Sequence, residues 1–385
     1  MKETFLIMVT AESNHNKYYR MVDNENGSFT VEFGRVGASC QKKDYSISQW
    51  NSKYNEKIRK GYVDQTHLYA KLPEEAKKEE NLPQIVEELQ RLAKQQVSNA
   101  YSVDTRNVSN DMIVSAQTLI NQLTQTTELS TFNEILNELF VTIPRRMSDV
   151  KSYLASSMSK TSDIICREQD LLDVMKGQVV QYNVTKSIVD GDTSLLDQLG
   201  LSFEDVTDDT TIDMIKSHLG SESSRFYKAW KVTNKKTEEA FKKKAKGKKT
   251  MLLWHGSRNE NWWSICQTGL ILRPTNVVIS GKMFGYGIYF APKAKKSLGY
   301  TSLDGSYWAR GNSSKAYMAL FECVYGTPLN VYDYNYKYGD YDLEALKQNG
   351  NFDCLHAHAG ASLRNDEIIF YDEKQLTIRY LVEIH

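Results

Sequence analysis

The chain has 385 residues and equal numbers of basic and acidic side chains, 48 of each, so its formal net charge is zero. This balance excludes a protein held to nucleic acid by overall basicity, and no apolar run approaches the roughly 20 residues of a membrane span. Its five scattered cysteines never form C-x-x-C, which predicts reduced thiols rather than disulfides or a zinc site. Because the first residues lack the apolar core of a secretion signal, an intracellular protein without a membrane partner is expected. A monomer is expected as well.

Residues 1–72 predict a small antiparallel sheet followed by a helix. The strand candidates are rich in β-branched and aromatic residues: "TFLIMVTA", "NKYYRMVD" and "SFTVEFGRVGASC", with a turn signal in "NENGS". Residues 73–82 fall within "AKLPEEAKKEENLP", whose charges and prolines predict a linker.

Residues 83–197 predict a helical bundle. Apolar residues recur every three or four positions in "NDMIVSAQTLINQL" and "TFNEILNELF". Thr131 and Glu134 have the spacing of a capping box, and Pro144 is expected to end the second of these helices.

Residues 198–385 return to strand-like patterns and predict a mixed, mostly antiparallel sheet with a few helices. The strand candidates are "RFYKAWKV", "TMLLWHG", "YGIYFA", "YMALFECVYG", "EIIFYD" and "LTIRYLVEI". The basic run "FKKKAKGKK" at 241–249 is interpreted as a solvated loop, with a localisation signal or a phosphate contact as alternatives.

Three kinds of residue in the last segment are candidates for chemistry. His255 runs into Gly256 and Ser257, where a glycine lets a flat ligand approach the main chain, although a histidine capping a loop is the ordinary interpretation. Tyr289 and Tyr300 lie near glycines and can sandwich a planar ring, or can simply belong to the core.

Glu367, in "RNDEIIFYD", stands at the mouth of a strand, where a carboxylate is poorly placed for packing. It can cap that strand, or it can stabilise a developing positive charge and draw a proton from a nucleophile.

The remaining motifs do not indicate a further binding site. His356 and His358, in "HAH", have no companion Cys/Asp cluster, so no metal site is expected. Gly281, Gly285 and Gly287 fit neither the Walker nor the dinucleotide-binding spacing.

Taken together, four separated motifs resemble the catalytic domain of the poly(ADP-ribose) polymerases in order and spacing: "LLWHGSR", "MFGYGIYFA", "KSLGY" and "NDEIIFYD". Upstream, "NKYYRMVDNENGSFTVEFGRVG" is similar to a WGR domain, and "LNELFVTIP" with "REQDLLDVM" is similar to the helical regulatory domain. The resemblance implies an α+β multidomain chain. It comprises a WGR-like DNA-binding domain at 1–72, a linker at 73–82, a helical autoinhibitory domain at 83–197 and an ADP-ribosyltransferase domain at 198–385.

The resemblance implies NAD as co-substrate and no metal. The Gly256 main chain, Ser257 and Ser297 would hold the nicotinamide amide, and Tyr289 and Tyr300 would bracket its ring.

By the same resemblance, His255 would bind the adenosine-side ribose, and Glu367 would complete a His-Tyr-Glu catalytic triad with His255 and Tyr289. The loop Arg273–Lys282 would read the donor. The chain departs from the family pattern at Tyr286, where relatives often carry Lys, and at Asn365, where some polymer-forming members carry an aromatic residue.

The WGR resemblance implies that DNA ends or nicks with a 5′-phosphate bind at Phe33, Gly34, Arg35, Lys42 and Lys43. Phe33 stands where the domain's naming Trp would be, so an aromatic face remains but the indole N–H is lost.

The function implied is an NAD-dependent protein (poly-)ADP-ribosyltransferase, activated by DNA strand breaks, that modifies itself and other proteins in DNA repair. It would be nuclear in a eukaryote and cytoplasmic otherwise. Two alternatives stay open: a constitutive mono-ADP-ribosyltransferase whose WGR-like module binds protein or RNA, and a catalytically inactive scaffold that binds DNA ends.

Overall fold

A computed structural model describes residues 2–10, 13–69, 82–188, 194–272, 283–360 and 362–385. These residues form two compact units, one within 2–69 and 94–183 and the other within 82–93, 184–272 and 283–385. Nearly all of the predicted linker and the whole of the predicted donor loop lie outside the described residues. Among the residues that are described, no helix has the length and apolar character needed to cross a membrane.

The first unit begins with an antiparallel five-stranded sheet in the order β4-β3-β2-β1-β5, which confirms the predicted strands followed by a helix. Its elements are β1 Glu3–Thr10, β2 His15–Asp23, β3 Ser28–Arg35, β4 Cys40–Ser46, α1 Trp50–Arg59 and β5 Val63–Asp64. Alternation along β2 and β3 buries Tyr19, Met21, Phe29 and Val31 against Trp50 of α1.

Four longer helices come next along the chain: α2 Gln84–Ala100, α3 Asn110–Gln125, α4 Leu129–Thr142 and α5 Thr161–Ser187. Residues of α2 before 94 and of α5 after 183 belong to the second unit. The apolar face predicted for α3 is buried, and α4 ends before Pro144 as expected. The prediction of a capping box at Thr131 and Glu134 is wrong. The first turn of α4 starts at Leu129 behind an N-cap at Glu128, whose carbonyl accepts the Phe132 N–H, so Thr131 already lies inside the helix.

Within the first unit, side chains of the sheet module hydrogen-bond main-chain carbonyls at and beyond the end of α4. Asn16 Nδ2 donates to Arg145 O at 3.2 Å, and Gln65 Nε2 donates to Val141 O at 2.9 Å. Carbonyls at a helix C-terminus have no partner within the helix, so these bonds satisfy groups that would otherwise be orphaned.

Arg145 also forms a buried ion pair with Glu168 of α5. Their side chains are 4% and 2% exposed, and Arg145 Nη1 lies 3.5 Å from Glu168 Oε2. The guanidinium further lies 4.7 Å from the ring centroid of Tyr101. Removing one partner of such a pair leaves an uncompensated charge out of water.

We therefore expect Glu168→Gln to lower the free energy of unfolding of the first unit by about 3–5 kcal/mol. The matched control is Glu56→Gln, which breaks the exposed pair with Lys60 and should cost about 0–1 kcal/mol. Urea unfolding followed by circular dichroism compares the two variants. Equal losses would show that Arg145 is not held by Glu168.

The second unit contains two sheets, in the orders β6-β7-β14-β10-β8 and β11-β12-β13-β9. Its strands are β6 Leu201–Asp205, β7 Phe226–Asn234, β8 Thr250–Gly256, β9 Ile288–Phe290, β10 Ala316–Val324, β11 Pro328–Val331, β12 Cys354–Ala357, β13 Glu367–Phe370 and β14 Leu376–Ile384. Its helices are α6 Leu195–Leu199, α7 Asp209–Leu219, α8 Lys235–Ala245, α9 Trp262–Thr268, α10 Ala294–Leu298 and α11 Leu343–Gln348.

All strand pairs of these sheets are antiparallel except β11 with β12, so the predicted α+β, mostly antiparallel architecture is confirmed. The interior strand β10 is buried along almost its whole length between β14 and β8, which explains its unbroken apolar run.

The loop prediction for 241–249 is partly wrong, because the run begins inside α8. Phe241 anchors that helix in the core, while Lys242, Lys243 and Lys244 are exposed, as the prediction of a solvated run requires. Phe241 is the buried residue of α8, and the other residues of this helix are partly or fully exposed.

Candidate active site

The two sheets of the second unit are joined where β8 passes the residue after β9. Trp254 N donates to Ala291 O at 2.9 Å, and Ala291 N donates to Trp254 O at 3.0 Å. The candidate residues His255 and Gly256 follow Trp254 directly, so this junction fixes their position.

His255 is oriented by the main chain of β9. Its Nδ1 lies 3.1 Å from Tyr289 O, and its ring contacts Phe290 and Phe321 at centroid distances of 5.4 and 6.1 Å. Burial lowers the pKa of His255 to about 4, although the bond to Tyr289 acts in the opposite direction. Since a carbonyl only accepts, the neutral ring carries its proton on Nδ1 and leaves Nε2 as an acceptor.

Gly256 faces the main chain of α10 at very close range. A Cβ built on Gly256 would lie 2.0 Å from Ser297 O, so only glycine fits here. The Ser297 hydroxyl donates to Trp254 O at 3.1 Å, and Asn261 Nδ2 donates to Ser257 Oγ at 3.0 Å. The backbone of β8 and the helix that carries Ser297 are therefore fixed against each other.

Tyr289 and Tyr300 have different surroundings. The Tyr289 hydroxyl donates to Gly285 O and accepts from Phe284 N, both at 3.0 Å, and burial raises the pKa of Tyr289 well above its usual value. Tyr300 is 40% exposed and stacks on Trp308 with ring centroids 6.2 Å apart. Tyr289 is thus locked in place, whereas Tyr300 is partly exposed to solvent.

The glycines around Tyr286 have a packing role, which explains why their spacing matches no phosphate-binding loop. Gly285 has φ +72°, and a Cβ there would lie 2.1 Å from Tyr341 O. A Cβ on Gly287 would lie 2.2 Å from Ile369 Cγ2. Both positions bring β9 close to neighbouring chain segments.

Glu367 is the first residue of β13 and is 6% exposed. Its Oε1 forms an ion pair with Lys296 Nζ of α10. Tyr289 pairs with Ile369, so strand alternation places Tyr289, Ile369 and Glu367 on one face of the sheet. The carboxylate is therefore a buried, charge-paired group and not a surface cap.

The sequence interpretation missed Lys296. Burial lowers the pKa of Lys296 to about 8. The available signal was its place in the motif "KSLGY", directly before Ser297.

The structure brings the NAD-site candidates together through direct contacts or adjacent residues. His255 reaches Tyr289, Gly256 reaches Ser297, and Lys296 links Ser297 to Glu367. Their individual roles stay predictions.

The candidates for DNA contact lie on one hairpin, formed by β3 and β4, and they are Phe33, Gly34, Arg35, Lys42 and Lys43. Phe33 is tilted against Tyr19, with ring centroids 6.2 Å apart, and Lys42 forms an ion pair with Glu32 on the neighbouring strand. The hairpin therefore offers one aromatic side chain and two lysines, and the charge of Lys42 is paired with Glu32.

Arg35 is engaged inside the first unit. Its Nε donates to Met147 O at 3.2 Å, and its Nη1 and Nη2 donate to Asn14 O and Oδ1 at 2.9 Å each. Arg35 therefore ties the hairpin to the segment that follows α4.

Comparisons with known proteins agree with this architecture. The model of the poly(ADP-ribose) polymerase catalytic domain matches residues 203–338, and that of the WGR domain matches residues 2–68. The putative poly [ADP-ribose] polymerase-like 100L of Invertebrate iridescent virus 6 is 37% identical over 167 residues, which cover 41% of this chain and 85% of that protein.

Two other relatives extend the comparison. Uncharacterized protein 101L of the same virus is 31% identical over 188 residues, 47% of this chain and 79% of that protein. Poly [ADP-ribose] polymerase 2 of Zea mays is 37% identical over 101 residues, 24% of this chain and 16% of that protein.

The chain belongs to the poly(ADP-ribose) polymerase family. It is an ADP-ribosyltransferase that uses NAD as its substrate. The predicted family, fold class and enzyme class are thereby confirmed.

The lowered pKa of His255 predicts acid sensitivity. The unfolded state takes up its proton near pH 6.5 and the folded state near pH 4, so stability falls as pH drops through this window. Between pH 7.5 and pH 5, His255 should reduce the free energy of unfolding by about 2 kcal/mol. Urea unfolding of wild type and His255→Gln, followed by tryptophan fluorescence, measures this difference. Identical pH dependence in the two proteins would contradict it.

The close approach at Gly256 predicts that Gly256→Ala is disruptive. The added methyl group collides with main-chain atoms, which should cost about 1–3 kcal/mol and raise the NAD concentration for half-maximal activity about tenfold or more. Gly360→Ala is the control, because its Cβ would lie 3.5 Å from the nearest atom, in ordinary contact. Unfolding and NAD titration would refute the assignment if the two variants behaved alike.

Proposed function

We propose that this chain transfers ADP-ribose from NAD to itself and to other proteins, extends it into polymer, and is activated by DNA ends or nicks. One observation carries the catalytic half of the proposal. A neutral histidine, a locked tyrosine, a glycine main chain and a buried glutamate meet at the junction of two sheets.

In the proposed complex, the nicotinamide ring lies between Tyr289 and Tyr300. The locked ring of Tyr289 supplies a rigid stacking surface, and the partial exposure of Tyr300 leaves a way in from solvent. The nicotinamide amide hydrogen-bonds the Gly256 main chain and the hydroxyls of Ser257 and Ser297. Stacking on the ring faces and hydrogen bonds to the amide together fix the orientation of nicotinamide before reaction.

His255 and Glu367 would bind the two riboses. The Nε2 atom of His255 accepts a hydrogen bond from a hydroxyl of the adenosine-side ribose, as its tautomer allows. Since the Lys296 ion pair uses Glu367 Oε1, we assign Oε2 to a hydroxyl of the nicotinamide ribose.

The reaction follows from this placement. The bond between the ribose C1 and the nicotinamide nitrogen breaks, and nicotinamide leaves as a neutral base with the bonding electrons. The ribose then carries an oxocarbenium-like positive charge, which the Glu367 carboxylate stabilises. The acceptor oxygen bonds to C1 while its proton passes to Glu367 acting as general base.

The DNA-dependent half of the proposal starts at the β3–β4 hairpin. Phe33, Gly34, Lys42 and Lys43 would contact the DNA end, whose phosphates compete with Glu32 for Lys42. Arg35 supports a link from this hairpin to the helical segment through Met147. We propose that DNA binding loosens the helical segment and so shifts a closed population toward one that admits NAD. A nuclear location in a eukaryote, or a cytoplasmic one otherwise, belongs to the same proposal.

The test is incorporation of labelled NAD into the protein, with and without 5′-phosphorylated nicked DNA, resolved on a denaturing gel. Wild type should give a DNA-dependent ladder. Glu367→Gln should lower incorporation about 100-fold or more while NAD binding persists. Glu239→Gln, an exposed carboxylate on α8, is the matched control and should behave as wild type.

Each contrary result has one meaning. A sharp labelled band of equal intensity with and without DNA would show constitutive mono-ADP-ribosylation instead. Retained DNA binding without any label would replace it with a scaffold, and unchanged polymer in Glu367→Gln would remove Glu367 from catalysis.

A further inference from the structure

An aromatic residue outside the predicted set lies against the second of the two candidate ring-binding tyrosines. The ring of Tyr300 stacks on the indole of Trp308, with an interplanar angle of 18° and ring centroids 6.2 Å apart. Offset aromatic pairs attract each other at centroid distances of about 4.5–7 Å. Trp308 therefore occupies one face of the Tyr300 ring.

The main chain places Trp308 beside Tyr300. The carbonyl of Gly299, the residue before Tyr300, accepts hydrogen bonds from the N–H groups of Trp308 and Ala309, at 2.9 and 3.1 Å. Tyr300 N in turn donates to Ser297 O at 3.1 Å. Both rings of the stack are therefore attached to the end of α10, the helix that carries Ser297.

The loop that carries Trp308 is held at two further points. Ser313 N donates to Ser302 O at 2.9 Å, which closes the base of the loop. The hydroxyl of Ser306 donates to Leu298 O of α10 at 3.0 Å. These hydrogen bonds fix the loop against the end of the helix, so the main chain at Trp308 has a defined position.

Core packing does not account for Trp308. This residue is 61% exposed, and Tyr307, whose ring is perpendicular to the indole with centroids 4.7 Å apart, is 77% exposed. Hydrophobic stabilisation follows the apolar area removed from water, so an indole exposed to this extent contributes little of it. What Trp308 does provide is an aromatic face for Tyr300.

The two candidate tyrosines are held by different means. The Tyr289 hydroxyl is fixed by two hydrogen bonds of 3.0 Å, to Gly285 O and from Phe284 N. For Tyr300, which is 40% exposed, the corresponding contact is the stack with Trp308. A side chain that is ordered in advance loses less rotamer freedom when a ligand binds.

We infer that Trp308 is a positioning residue for the nicotinamide ring of NAD, because it holds Tyr300 in the orientation that stacks on that ring. The inference rests on the proposed function, since it requires nicotinamide to lie between Tyr289 and Tyr300. With Trp308 on one face of Tyr300, only the other face is open to a ligand. The order of the stacked rings is then Tyr289, nicotinamide, Tyr300, Trp308.

The test measures the binding of nicotinamide and of ADP-ribose separately, by ligand-observed NMR titration of the full chain. Nicotinamide probes the ring site, whereas ADP-ribose lacks that ring and probes the ribose sites. Trp308→Ala should weaken nicotinamide binding about three- to tenfold, because Tyr300 must then be ordered on binding, and should leave ADP-ribose binding unchanged. Trp308→Phe keeps an aromatic face and should bind nicotinamide within about twofold of wild type.

The matched control is Tyr227→Ala. Tyr227 is 63% exposed, close to the exposure of Trp308, and its ring stacks on His385 with centroids 4.4 Å apart. This variant removes an exposed aromatic stack from the same unit without removing a partner of Tyr300. It should bind nicotinamide as wild type does.

Tyr300→Ala separates failure of the inference from failure of the proposed function. Wild-type nicotinamide binding in Trp308→Ala, together with weakened binding in Tyr300→Ala, would overturn the inference and leave the proposed ring site standing. Wild-type binding in Tyr300→Ala would remove Tyr300 from the ring site, and the inference would fall with it.

Two further results would also overturn the inference. One is equal weakening of nicotinamide and ADP-ribose binding in Trp308→Ala, which would indicate general damage to the unit. The other is a loss of nicotinamide binding in Trp308→Phe as large as that in Trp308→Ala, because the aromatic face would then have no effect.

Discussion

The reciprocal hydrogen bonds between Trp254 and Ala291 are the constraint on which the catalytic unit depends, because they join its two sheets at one point. The residues nearest to that point belong to the candidate site. His255 and Gly256 extend from one side of the junction, while β9 lies on the other. The absence of a side chain on Gly256 lets α10 approach to a distance that no other residue permits. The site is thus rigid where the ring would bind, which spares the enzyme the cost of ordering its own groups at each turnover.

Each unit of this protein also contains a buried ion pair. Glu367 is held beside Lys296, and in the other unit Arg145 is held beside Glu168. A buried pair contributes little to stability compared with apolar residues of the same size, because both ions lose their water. The two pairs differ in what justifies that cost. The Glu367 carboxylate lies at the candidate active site, whereas the Arg145 guanidinium contacts Tyr101 and connects α5 to the chain after α4.

Local pattern was sufficient for many elements and misleading where packing decided the outcome. The strands of both units follow their aromatic and β-branched runs because a half-buried pleated surface selects those residues. The helix α3 follows its apolar period for the same kind of reason. The start of α4 was misplaced, since a possible cap at Thr131 competes with one further turn of helix. The basic run 241–249 was wrongly predicted to be a loop throughout. Burial of Phe241 holds its first residues in α8, although the lysines that follow are exposed.

The sequence by itself determined the fold class, the enzyme family and the identity of the candidate residues, because each depends on short motifs whose order along the chain is visible. Only the tertiary structure decided which of those residues meet. Lys296 belongs to the candidate site because it pairs with Glu367, about 70 residues away in the sequence. The two histidines of "HAH" lie beside the Asp366 carboxylate only because β12 pairs with β13. Strand pairing brings together residues that are distant in sequence, and the register of that pairing depends on the whole core rather than on any local motif.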